Sequence, residues 1–167
     1  MFTWFTFFRF VHIFSAIVAF GPNFAFPLIG MMGGKEPQHG NFALRVTAAL
    51  EDKVVIPVAL SMPVSGVLMI LTGNVPLNKF WFIAAMAVYV TAMVFAIVVQ
   101  RGWVHQMIHL TEHMPSPTPA MAAGPGAMQA GPPPEFLALR NKVQMGGMFL
   151  TLLLVIIVAL MIFRPGA

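Results

Sequence analysis

The chain has 167 residues, 59% of them hydrophobic and only 8% charged, where a water-soluble domain carries about 25% charged residues. A soluble fold of this size could not cover that much apolar surface, and the mean hydropathy of +0.85 points to an integral membrane protein with one domain, 1–167. The formal charge of +4 comes from cations scattered singly near helix ends, which suits anionic lipid headgroups rather than nucleic acid, and the lack of cysteine excludes disulfides, thiolate metal sites and cysteine nucleophiles.

The first predicted span covers about residues 10–30. Phe residues and Trp4 precede it, as suits the headgroup boundary. No small-x-small cleavage site follows a short apolar core, so the helix is expected to be retained. Gly21-Pro22 predicts a kink. On a 3.6-residue helix, His12, Ser15, Ala16, Ala19 and Asn23 share one small, polar face, expected to turn into a bundle. Met31 to Asn41 reads as a Gly-rich polar loop, with Asn41 as the N-cap of the next helix.

The second span, about 54–72, follows an amphipathic lead-in carrying Arg45, Glu51, Asp52 and Lys53. Pro57, Ser61, Ser65 and Thr72 are read as its bundle-facing stripe, and Pro63 predicts a second bend. Gly73-Asn74-Val75-Pro76 is a tight turn. Asn78 is expected to cap the third span, about 80–100, whose small side is Ala85, Ala92 and Ala96. Its helical pattern continues through Arg101, Trp103, His105, His109 and His113. A flexible Pro/Gly-rich linker over 115–134 holds half of the fourteen prolines. The fourth span, about 143–163, carries Gly146-Gly147, which should let a neighbour approach closely. The fold class is therefore all-α: a polytopic membrane protein with four transmembrane helices in an antiparallel bundle.

Four spans put both termini on one face of the membrane. That face carries Arg9, Lys79 and Arg164, and the loop face carries Lys35, Arg45, Lys53, Arg101, Arg140 and Lys142. The asymmetry predicts a cytoplasmic loop side and both termini outside the cytoplasm.

Three features could carry chemistry. His12 lies inside the membrane on a polar stripe, where an imidazole ligates haem, relays protons, or bridges helices by hydrogen bonds. If it held haem b, Met69 and Met161 are the second-ligand candidates by depth. His105 could not be that ligand, because helices 1 and 3 run parallel and 27 residues from Asn78 to His105 span ~40 Å. The second feature is His105-x-x-x-His109-x-x-x-His113, whose spacing of four sets imidazoles on one face for a metal, with copper suggested by the following Met107 and Met114. A snorkelling helix end is the alternative. The third is the charge cluster of Arg45, Glu51, Asp52, Lys53, Arg101, Arg140 and Lys142, read as a solvated face with modest ion pairs. No phosphate loop, Ser-His-Asp set or close carboxylate pair stands out, so the residues give no sign of an enzyme.

Phe10-Val-His-Ile-Phe-Ser-Ala, Phe20-Gly21, Pro57, Ser65-Gly66 and the closing Leu160-Met-Ile-Phe-Arg-Pro-Gly166 together resemble a bacterial family of four-helix integral membrane proteins, a DUF2269-like domain of unknown function. The resemblance covers nearly the whole chain and implies the bacterial plasma membrane. That family is similar in plan to CopD-type copper-resistance and HemJ-type haem-pathway membrane proteins. In the latter, the first-helix histidine, matched here by His12, implies haem binding.

Three functional expectations follow. The first is a small membrane protein binding haem or a metal, in a redox or metal-handling role. The second is a non-catalytic accessory subunit of a larger respiratory or photosynthetic membrane complex, packed against other subunits or its own copies. The third is a small-solute transporter, suggested by the Pro-broken helices 1 and 2. In each, the lipid bilayer is the constant partner.

Overall fold

A computed structural model describes residues 3–73, 75–112 and 133–166. Four helices carry the fold: α1 (Trp4–Lys35), α2 (Gly40–Thr72), α3 (Phe80–Glu112) and α4 (Pro134–Phe163), each long and apolar enough to cross a membrane. No strand occurs among the described residues. The helices connect up and down, and the N-terminal part of α2 packs on the C-terminal part of α3. His113 and most of the 115–134 linker lie outside the described residues, as does Asn74 of the predicted turn.

The helices are longer than the spans read from the sequence. Lengths of 30 to 33 residues correspond to ~45–50 Å, against ~30 Å of hydrocarbon. Most of the excess lies at the charged loop side, where Ala48, Val104, Met107 and Leu139 are buried beyond the apolar spans; α1 also begins earlier on the terminal side, at Trp4. α1 continues to Lys35, so Met31–Lys35 is helix rather than loop. The reason is close packing: a Cβ on Gly33 would stand 2.9 Å from Ala43 Cβ, so glycine lets α2 press against this last turn. Asn41 is not the N-cap of α2. Its side chain donates across the bundle to Thr111 Oγ1 at 2.8 Å, while His39 holds the cap position without a side-chain bond. Lys79, not Asn78, precedes α3, again without a side-chain cap.

Within the spans the interfaces are built from small residues. Ala19, Ser15, Ala59, Ser65, Ala85 and Gly146 are all buried, while many Phe, Ile, Val and Leu side chains are exposed. Lipid is as apolar as these side chains, so helix association relies on close van der Waals approach. Gly146 behaves as the sequence suggests. A Cβ there would meet Trp103 at 3.1 Å and the Gln100 carboxamide closer still, and Gln100 Nε2 donates to Val143 O at 3.0 Å.

Two helices contain wide π-helical turns, Glu51–Val55 in α2 and Phe95–Gln100 in α3. They lie side by side, since Arg101 Nε donates to Asp52 Oδ1 at 2.8 Å. Pro57 follows the first turn closely and lacks the N–H that would continue the regular ladder. Pro63 has the same effect six residues further on: it deprives the Ala59 carbonyl of its helical donor. The Tyr89 hydroxyl supplies a replacement from α3, donating to Ala59 O at 2.6 Å.

Candidate functional site

His12 reaches across the α1–α2 contact. Its Nδ1 is 2.9 Å from Ser65 Oγ, and that hydroxyl donates to Met62 O at 2.9 Å. With the hydroxyl proton on the carbonyl, the imidazole must be the donor, so Nδ1 carries hydrogen and Nε2 keeps its lone pair. Gly66 makes room for the ring: its Cβ position is 3.8 Å from His12 Cε1. Ser15 is buried on the same face of α1. Met69, one turn beyond Ser65, and Met161 are both half-buried. Among the described residues the imidazole is engaged by a serine, not by a thioether.

The polar stripe of α2 needs correction. Ser61 is exposed and donates to Val58 O on its own helix at 2.7 Å. The buried face is Ala59, Met62 and Ser65, advancing in threes. Ser61 sits one residue, or about 100°, from Met62 at the centre of that face. Pro57 and Thr72 are likewise exposed.

The loop-side histidines face carboxylates. His105 Nε2 is 3.5 Å from Asp52 Oδ2, and His109 Nδ1 is 3.9 Å from Glu112 Oε2. The two line one open groove with Ile97, Val98, Arg101 and Gly102. The third member of the row, His113, lies outside the described residues. No three His, Asp or Glu side chains among the described residues are grouped to hold a metal.

The feature that sequence reasoning missed is a cavity of ≈ 70 Å³ walled by all four helices. α1 contributes Phe20, Asn23 and Phe26; α2 contributes Glu51, Val55, Ile56 and Ala59. Tyr89, Ala92, Met93 and Ala96 come from α3, and Leu150, Leu154 and Ile157 from α4. Most of this wall is apolar. Asn23, expected on the polar face of α1, donates its side-chain N–H groups to Ala19 O and Phe20 O, each at 3.4 Å. Its Oδ1 remains an acceptor.

Glu51 is the outstanding group. It is only 7% exposed, and its carboxyl has no hydrogen-bond or salt-bridge partner among the described residues, although it borders the cavity. It is therefore not part of a solvated charged face. Its neighbour Asp52 takes the Arg101 and His105 contacts outside the bundle. One signal could have found it: Ala48, Glu51, Val55, Ala59, Met62 and Ser65 fall on a continuous three-and-four spacing that otherwise holds only small or apolar residues and a bundle-facing serine. A carboxyl so placed can take up a proton or hold a cation.

A family model described as a predicted integral membrane protein, DUF2269, matches residues 6–165, and the chain belongs to that family. No curated protein and no solved structure matches it.

Proposed function

We propose that this DUF2269 member is a small transporter, which moves a small polar species through the centre of its bundle. The observation that carries this reading is the buried, unpartnered Glu51 carboxyl on a cavity shared by all four helices. A buried carboxyl without a hydrogen-bond partner is costly, and in membrane proteins such groups mark ion or proton pathways. The π-helical turns contribute Glu51, Val55 and Ala96 to the cavity wall, and transporters place such irregular backbone along their pathways. The cation asymmetry supports a plasma-membrane orientation with the Glu51 end of the cavity toward the cytoplasm and the termini outside. Reconstitution into sealed proteoliposomes tests the function: protein-dependent flux of a small cation or proton is expected. Ala92→Leu, which adds volume to the cavity wall, should lower it. Equal flux with and without protein would remove the reading.

A second reading is supported by the His12 geometry. Nδ1 held by Ser65 leaves Nε2 presented as a ligand, the arrangement by which a second group orients a metal-bound histidine. Haem b with Met69 or Met161 as partner, or copper on the His105 row, would give this protein a redox or metal-handling role. A Soret band or bound copper in the purified protein, lost in His12→Phe or His105→Ala respectively, is the expected signature. A colourless, metal-free preparation would count against it.

A further inference from the structure

We infer that the species handled at the cavity is a proton, taken up by Glu51 from the loop side and passed along a short water chain toward the Tyr89 hydroxyl. This rests on the transport reading and adds its substrate.

Spacing and volume together favour the proton. The polar oxygens on the cavity wall are the Glu51 carboxyl, Asn23 Oδ1 and Tyr89 Oη. The first and third are far apart, because Tyr89 is bonded to Ala59 O, and Ala59 lies eight residues beyond Glu51 on α2, or ~12 Å along the axis. A metal cation needs roughly six oxygens within about 2.6 Å of one point; side-chain oxygens ~12 Å apart cannot share it, so a cation here would have to keep most of its own water shell. A chain of about four waters spaced ~2.8 Å apart covers the same distance. The cavity volume of ≈ 70 Å³ accommodates about five waters at ~15 Å³ each, and is small for an organic solute, whose sites run to several hundred Å³.

The acceptors are also suitably disposed. Tyr89 spends its proton on Ala59 O, so its oxygen lone pairs remain to accept from a water. Asn23 likewise presents its carbonyl oxygen. The transfer is balanced: loop-side hydronium gives its proton to the Glu51 carboxylate and becomes water, and Glu51 then gives a proton to the first cavity water. The excess proton moves along the chain to the last water, which Tyr89 Oη holds by accepting a hydrogen bond without taking the proton itself. From that water it is released to water on the terminal side. Among charged groups, Asp52 from α2 and Arg101 from α3 act on Glu51, and Tyr89 is the other titratable group on the wall. The wall residues of α1 and α4 carry no charge.

The test combines two measurements on the full chain. In sealed proteoliposomes with a clamped potential and an internal pH dye, wild type should carry protons whether or not sodium is present. Glu51→Gln should slow this by roughly tenfold or more, while Glu51→Asp retains part of it. In detergent, infrared difference spectra should show a protonated-carboxyl band that titrates in wild type and is missing in Glu51→Gln. Undiminished proton flux in Glu51→Gln, or an unchanged band, would overturn the inference. Sodium flux that depends on Glu51 without proton movement would overturn it and leave the transport reading standing. No flux of any species would remove both. Should Glu51→Gln fail to fold, Ala92→Leu gives the same comparison, since obstructing the water chain must slow proton flux.

Discussion

Two polar places inside the bundle differ in one respect. At the α1–α2 contact, His12, Ser65 and the Met62 carbonyl form a closed relay in which each donor meets an acceptor. At the cavity, Glu51 is more deeply buried than His12 and has no such partner. Both lie inside the bundle, so each should cost free energy unless a protein group or a cavity water satisfies it. The first is the behaviour of a structural contact, whose hydrogen bonds hold two helices in register. The second is tolerated by the fold without stabilising it, which is how groups retained for function behave. A polar residue inside a bundle therefore says little until its partners are known.

That contrast can be broken by unfolding measurements in detergent. The largest loss is expected for Gly146→Val, which serves as a reference for packing alone. The new side chain collides with Gln100 and Trp103, and overpacking should cost about 3 kcal/mol. Ser65→Ala and Tyr89→Phe come next. Each strands one partner, the His12 Nδ1–H or the Ala59 carbonyl, at about 1–2 kcal/mol, the upper range for polar contacts between membrane helices.

Glu51→Leu should have the opposite sign. It removes a buried carboxyl that no side chain satisfies, so stability should stay level or rise by about 1 kcal/mol while transport is lost. A loss comparable to that of Ser65→Ala would show Glu51 to be structural and erase the distinction between the two places. The smallest effect belongs to Asp52→Asn. Its partner Arg101 is 46% exposed, and such a pair contributes about 0.5 kcal/mol or less. Midpoints from the same denaturation series rank all five variants.

The family, the four spans, the small-residue interfaces and the close approach at Gly146 were legible in the sequence. They depend on composition and local spacing: long apolar runs must be helical in lipid, and glycine beside a span admits a neighbour. The polar face of α1 was legible too, because His12, Ser15, Ala19 and Asn23 follow one another on a single regular helix. The helical lead-in of α2 and the continuation of α3 past the membrane were legible as well; the reach of α1 to Lys35 was not. Gly33 and Gly34 read as breakers, and only the press of Ala43 against Gly33 makes that last turn favourable.

What the tertiary structure alone decided is which polar groups meet. His12 and Ser65 are 53 residues apart, and Tyr89 and Ala59 are 30 apart. Ser61 and Ser65 look alike in sequence, yet the buried face of α2 advances in threes and leaves Ser61 outside. Glu51 and Asp52 are adjacent carboxylates in the same π-helical turn. A rotation of about 100° sends one into the cavity and the other to Arg101. Helical periodicity determines the angle between such neighbours, but which of them faces inward depends on where the other three helices pack.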